Sequence, residues 1–77
     1  MDWITKDNKL VKEFVFKDFI EAFSFLTKVA IEAEKQNHHP EIYNVYNKIT
    51  ISLQTHDAGN IVTEKDYSLA KSIDAFL

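Results

Sequence analysis

Residues 48–55 of this chain read KITISLQT, which is its clearest strand pattern. Ile49, Ile51 and Leu53 alternate with polar residues, so one face of the predicted strand is apolar and the other is polar. An apolar sheet face must be buried against a second layer of structure. The stretch leads directly into His56, one of three histidines in the chain. The pattern therefore predicts a half-buried strand that ends at a histidine.

Three further strands are predicted around this one. Residues 3–6 and 10–16 are rich in strand-forming side chains, and the Asp-Asn-Lys sequence at 7–9 between them suits a hairpin turn. Residues 42–46 are expected to form a second hairpin with the central strand, through a turn near residues 44–48.

The first helix is predicted to begin after Asp18, which has the spacing of a capping box with Glu21. It should end near Asn37 or His38, because Pro40 cannot lie inside a helix. We expect one apolar stripe to face the sheet and a second, narrower stripe to face a partner subunit. The first stripe consists of Phe19, Ala22, Phe23, Leu26, Ala30 and Ala33, and the second of Phe25 and Val29.

The closing helix is predicted to begin at a second capping box, formed by Thr63 and Asp66. Its buried side chains are expected to be Leu69, Ala70, Ile73, Phe76 and Leu77. The resulting order, ββαββα, predicts an α+β fold: a two-layer sandwich with a four-stranded antiparallel sheet and both helices on one face. With 77 residues, we expect a single domain over residues 1–77.

Composition narrows the classes of function. The net charge is −3 and no run of Lys or Arg is present, which argues against nucleic acid as the ligand. No apolar stretch approaches the ~20 residues of a membrane span, and the first residues lack the pattern of a secretory signal. Together with the absence of cysteine, this predicts a cytoplasmic protein with no membrane association. An apolar content of 45% in so short a chain favours self-association.

The three histidines form the candidate site. His38 lies at the predicted C-terminal end of the first helix, where the helix dipole favours a cation, and Glu34 precedes it by one turn. Both effects favour the protonated ring, so His38 is a candidate general acid. His39, which Pro40 holds in an extended conformation, should point away from His38. His56 is then able to close a third side of one pocket.

Simpler interpretations of the same residues remain open. The histidines can be surface residues around the end of a helix, Glu34 can belong to a solvated helix face, and Asp66 can act only as a cap. Tyr43 and Tyr46 can pack like ordinary strand residues. A metal site is disfavoured, because adjacent histidines chelate one ion awkwardly and no His-x-His pair is present. The sequence also shows no nucleophile with an identifiable base and no glycine-rich phosphate loop.

One set of motifs runs through nearly the whole chain. It consists of Phe14-x-Phe16-x-Asp18-Phe19, Glu34-x-x-x-His38-His39-Pro40, Glu41-Ile42-Tyr43-Asn44-Val45-Tyr46, Thr55-His56-Asp57-Ala58-Gly59, Thr63-Glu64-Lys65-Asp66, Leu69-Ala70 and Ile73-Asp74. This set resembles the signature of the pterin-4a-carbinolamine dehydratases. The double His-Pro followed by Thr-His-Asp is a specific combination.

The resemblance implies a hydro-lyase that removes water from 4a-hydroxytetrahydropterin to give quinonoid dihydropterin, in the recycling of tetrahydrobiopterin. It implies neither a metal nor another cofactor, since the pterin is the substrate. Catalysis is assigned to His38, His39 and His56, with Glu34 orienting His38 and Asp66 holding His56 or a bound water. The implied substrate-binding residues are His39, Pro40, Tyr46, Thr55 and Asp57.

The resemblance also implies partners. We expect a homodimer or a homotetramer built as a dimer of dimers, and a pterin-dependent hydroxylase that acts in the same pathway. The alternative function is that of a dehydratase-like protein that binds or dimerises other proteins without catalysis. Two departures from the family pattern stand out. We expect no helix before the first strand, where the family has one, and the loop Gly59-Asn60-Ile61-Val62 has one residue more and one glycine fewer than is usual in the family.

Overall fold

The computed structural model describes residues 2–77, and its elements follow the predicted order. These elements are β1 (Ile4–Lys6), β2 (Lys9–Val15), α1 (Phe19–Gln36), β3 (Glu41–Val45), β4 (Lys48–Leu53) and α2 (Glu64–Asp74). A short 3₁₀ turn, His56–Ala58, lies between β4 and α2. The predicted α+β fold class is confirmed.

The four strands form one antiparallel sheet in the order β1-β2-β4-β3. Asp7 and Asn8 connect β1 to β2, and both have positive φ (52° and 62°), as a two-residue hairpin turn of this kind requires. Tyr46 also has a positive φ, of 52°, in the turn between β3 and β4. The Asn44 side chain braces that turn by donating to the carbonyl oxygens of Tyr46 and Lys48. The two central strands of the sheet are β2 and β4, and they belong to different hairpins.

The core lies on one face of the sheet. Ile49, Ile51 and Leu53 are at most 1% exposed, as their alternation predicts. Leu10 pairs with Leu53 and Phe14 pairs with Ile49 across β2 and β4, so these side chains point to the same face. Both helices contribute buried residues to this core. Neither helix within residues 2–77 is long and apolar enough to cross a membrane.

Helix α1 buries Ala22, Leu26 and Ala33 of the predicted sheet-facing stripe, together with both residues of the second stripe. Phe25 and Val29 are buried (4% and 0% exposed), whereas Phe19 and Phe23 are about half exposed (47% and 52%). Ala30 is exposed as well. The prediction that Phe25 and Val29 face a partner is therefore wrong. The Phe25 ring packs against the rings of Phe14 and Phe16, with centroids 4.9 and 5.0 Å apart. This packing sets which face of the helix is turned towards the sheet.

Helix α2 buries Leu69, Ala70 and Ile73 as predicted, and Phe76 packs at the edge of the core. Leu77, predicted to be buried, is 65% exposed because it lies beyond the last helical turn.

The end of α1 sets the direction of the histidine segment. Asn37 follows the helix in the left-handed conformation (φ 51°), and its N–H donates to the carbonyl oxygens of Ala33 and Glu34. The N–H of His38 also donates to the Ala33 carbonyl. Because the chain leaves the helix at Asn37, the side chain of His38 no longer follows the helical spacing.

We predict that Phe25→Ala lowers the free energy of unfolding by about 3–5 kcal/mol, because it leaves a cavity against the sheet. Phe23→Ala, the matched control on the same helix, should cost much less because its ring is about half exposed. Urea unfolding of both variants in dilute solution measures the difference. Equal losses would contradict the assignment of the buried stripe.

Candidate active site

One pocket forms where the end of α1 meets the segment that follows β4. It has a volume of about 250 Å³ and contains all three histidines. Its lining residues are Asn37, His38, His39, Gln54, Thr55, His56, Asp57 and Lys65. The fold therefore brings together two segments that are separated in the sequence by β3 and β4.

Asp66 lies behind this pocket, at the start of α2, and its side chain is fully buried. One carboxylate oxygen, Oδ2, accepts hydrogen bonds from the Thr63 N–H and the Thr55 hydroxyl, each at 2.8 Å. The other, Oδ1, lies 2.6 Å from Nε2 of His38. Asp66 thus caps the helix, as predicted, and at the same time binds a pocket residue.

The directions of the hydrogen bonds around Asp66 follow from the donors available. A carboxylate only accepts, so the single hydroxyl proton of Thr55 points to Asp66. Thr63 Oγ1, 2.6 Å from Thr55 Oγ1, must then donate to Thr55, while it accepts from the Lys65 N–H. No buried side-chain polar atom within residues 2–77 lacks a partner. The carboxylate is therefore held in one orientation by a closed network.

The His38 side chain is mostly buried (11% exposed), and its ring is bonded to Asp66 through Nε2. This bond fixes the plane of the ring and leaves Nδ1 as the ring nitrogen able to exchange a proton with a ligand. The expected pairings were different: Glu34 was expected to contact His38, and the family resemblance implied that Asp66 holds His56 or a bound water. The structure shows instead that Asp66 contacts His38, because the left-handed Asn37 turns the ring away from the α1 face.

Glu34 contacts the next histidine along the chain. Its Oε1 lies 2.5 Å from Nε2 of His39, and both side chains are more than half exposed (78% and 59%). A solvent-exposed pair of this kind contributes little to stability. It does orient the His39 ring at the mouth of the pocket.

His56 begins the 3₁₀ turn after β4, and its ring is held through the opposite nitrogen from that of His38. Nδ1 of His56 lies 2.8 Å from Oδ1 of Asn60, in the loop before α2. Nε2 is then the nitrogen left for a ligand. The three rings are therefore each held at one nitrogen by a different polar side chain.

Two residues proposed from the resemblance do not line the pocket. Tyr46 lies in the β3–β4 turn and is 61% exposed. It is at the opposite end of β4 from His56, and the six residues of β4 alone span about 17 Å at ~3.3 Å per residue. Pro40 stands beside His39 but is not a lining residue. Thr55 and Asp57 do line the pocket.

Four residues of the site were not predicted from the sequence. Asn37, Gln54 and Lys65 line the pocket, and Asn60 supports His56. Asn37, Gln54 and Lys65 each directly adjoin a predicted site residue, which was the only signal available for them.

The arrangement of the histidine and acidic side chains also bears on whether a metal ion can bind. Within residues 2–77, no group of three or more His, Asp or Glu side chains lies close enough together to hold a metal ion.

Comparison with known proteins identifies the family. Residues 1–76 match the family model described as pterin 4 alpha carbinolamine dehydratase. A protein of Solibacter usitatus with the provisional name pterin-4-alpha-carbinolamine dehydratase is 55% identical over 73 residues, covering 95% of this chain and 76% of the relative. A protein of Prochlorococcus marinus with the same provisional name is 55% identical over 73 residues, covering 95% and 75%. The chain belongs to the pterin-4-alpha-carbinolamine dehydratase family, as its motifs predicted.

Two solved structures share the fold. The crystal structure of a transcriptional coactivator/pterin dehydratase from Brucella melitensis superposes with a TM-score of 0.90 at 41% identity, covering 95% of this chain and 79% of that one. A pterin dehydratase-like protein described as a RuBisCO assembly factor in the alpha-carboxysome gives a TM-score of 0.82 at 24% identity, covering 97% and 88%. The second similarity shows the fold alone.

We predict that Asp66→Asn lowers the free energy of unfolding by about 1–3 kcal/mol, because one amide oxygen cannot accept from the three donors that now surround the carboxylate. Asp57→Asn, which changes an exposed carboxylate of the same pocket, should stay within about 0.5 kcal/mol of wild type. Chemical denaturation compares the two. If both variants were as stable as wild type, the buried network would not contribute as described.

Proposed function

We propose that this protein catalyses the dehydration of a 4a-hydroxytetrahydropterin to the quinonoid dihydropterin. The observation that carries the proposal is the single pocket into which the fold brings His38, His39 and His56. Membership of the dehydratase family supports the same reaction. The hydrogen bonds of His38 and His56 to Asp66 and Asn60 leave one nitrogen of each ring for the proton transfers of this reaction.

The reaction needs two proton transfers. The C4a–O bond breaks as the hydroxyl takes a proton and leaves as water, while N5 loses its proton and forms a double bond to C4a. Positioned acid–base groups accelerate such steps by ~10²–10⁴-fold. Imidazoles suit both transfers, because they gain and lose protons near neutral pH.

We assign the proton transfers to His38 and His56. Asp66 holds Nε2 of His38, so its Nδ1 exchanges protons with the substrate. Asn60 holds Nδ1 of His56, so its Nε2 does the same from another side of the ring. The two histidines belong to different segments, after α1 and after β4, and this separation allows them to flank a planar ligand.

The remaining pocket residues bind the substrate in this proposal. His39, oriented by Glu34 at the mouth, is the main binding imidazole. Thr55 and Asp57 line the same pocket as His56. The histidines supply both proton transfers, so the proposed reaction uses no metal and no second cofactor. Its role is the recycling of a tetrahydrobiopterin-type cofactor after a pterin-dependent hydroxylase has acted, in the cytoplasm.

The proposed assembly is a homodimer or homotetramer. Phe19, Ile20 and Phe23 of α1 lie 47%, 76% and 52% exposed on one side of the helix. Large apolar side chains grouped in this way favour burial against another subunit.

The decisive test uses a chemically generated 4a-carbinolamine and follows the formation of dihydropterin. Wild type should exceed the buffer rate, and His38→Gln and His56→Gln should each lower kcat by ~10²–10⁴-fold, because glutamine keeps a hydrogen-bond donor but does not transfer protons. A wild-type rate equal to that of buffer rules out the enzyme. Unchanged rates in both variants would rule out the assigned roles.

Tyr46 provides a control for the location of the site. Tyr46→Asn keeps a residue that tolerates the left-handed conformation and removes the ring from the β3–β4 turn. Because this turn is remote from the pocket, we expect kcat and KM close to those of wild type. A large rise in KM would show that Tyr46 reaches a substrate, either in its own pocket or in that of another subunit.

A second candidate function is protein binding without catalysis. A groove of about 440 Å³ between α1 and β3 is lined by Phe23, Leu26, Thr27, Ala30, Ile42 and Asn44. None of these side chains carries a proton-transfer group, but their apolar surface suits a protein partner. The carbinolamine assay separates the two functions.

A further inference from the structure

The backbone of Asn60 forms hydrogen bonds to two residues just beyond the end of β4. Its N–H donates to the Thr55 carbonyl at 3.1 Å, and its carbonyl accepts from Nε2 of Gln54 at 2.9 Å. Gln54 Nε2 also donates to the Asn8 carbonyl in the β1–β2 turn. The loop that contains Asn60 is thereby tied both to the end of β4 and to the neighbouring hairpin.

The side chain of Asn60 points from this anchored backbone to His56. Its amide oxygen, Oδ1, lies 2.8 Å from Nδ1 of the ring. An amide oxygen only accepts, so Nδ1 carries a proton and donates. In the neutral ring this fixes the second nitrogen, Nε2, as an unprotonated acceptor that can take a proton from a ligand.

We propose that Asn60 is the positioning residue of His56. It selects the tautomer protonated at Nδ1 and directs Nε2 towards the pocket. Its effect on catalysis rests on the proposed dehydratase function, whereas its effect on the tautomer does not.

The backbone at this position restricts which residues can do this. Asn60 has a φ of 61°, in the left-handed region that glycine, asparagine and aspartate adopt most readily. Glycine fits the backbone but offers no acceptor, and aspartate offers a charged one. Asparagine is the residue that combines a tolerated backbone with a neutral acceptor.

The same restriction provides the test. Asn60→Gly keeps the left-handed backbone conformation but removes the side-chain acceptor. Asn60→Asp keeps the conformation and an acceptor oxygen. Asn8→Gly is the matched control, because Asn8 is also left-handed (φ 62°) and contributes only its carbonyl to Gln54. Thermal unfolding of each variant establishes that it is folded.

The first readout is the tautomer of His56, measured by ¹⁵N–¹H correlation NMR of the histidine rings. In wild type, Asn60→Asp and Asn8→Gly, the neutral ring should carry its proton on Nδ1. In Asn60→Gly, a substantial fraction should carry it on Nε2. A wild-type ring protonated at Nε2, or a tautomer that Asn60→Gly leaves unchanged, would overturn the proposal.

The second readout is the carbinolamine assay. Asn60→Gly should lower kcat by about 10- to 100-fold, as expected for a misplaced catalytic group, with little change in KM because His39 still binds the substrate. Asn60→Asp should restore most of the rate, and Asn8→Gly should match wild type. If wild type itself is inactive, the proposed function fails while the NMR result still decides the positioning role. An active wild type with an unchanged kcat in Asn60→Gly would overturn the catalytic part.

Discussion

The carboxylate of Asp66 connects the fold to the candidate site. It is buried at the start of α2 and accepts from the Thr63 N–H, the Thr55 hydroxyl and the His38 ring. A buried charge is stable only when such partners surround it, and breaking the set leaves an uncompensated charge. The α2 start, the segment after β4 and the segment after α1 therefore have to meet at one point. The histidine pocket forms beside that meeting point.

Much of the fold was predictable because it depends on local patterns. The alternation of Ile49, Ile51 and Leu53 identified the core strand and its buried face, and Asp18 and Thr63 marked the helix starts. The rotation of α1 was not predictable from spacing alone, because apolar residues cover more than one face of this helix. The packing of Phe25 on the sheet aromatics decides that rotation, and it depends on contacts between distant segments.

The histidines of the site were predictable as a group, and their partners were not. The expected pairing of Glu34 with His38 assumed helical spacing, which ends at the left-handed Asn37. The partner of His38 is Asp66, 28 positions further along the chain, where the sequence showed only a helix cap. His56 in turn is held by Asn60 instead of Asp66. A capping motif does not reveal that its second carboxylate oxygen is directed at a distant ring.

A crystal structure with a reduced pterin bound would show whether the histidine pocket binds the substrate and which ring nitrogens contact it. We expect the pterin ring to lie in the histidine pocket, with Nδ1 of His38 and Nε2 of His56 within hydrogen-bond distance of the ligand. Asp66 and Asn60 should still be bonded to the opposite ring nitrogens. A pterin bound elsewhere, such as in the apolar groove between α1 and β3, would contradict this expectation. So would a bound ring that contacts neither of these two nitrogens.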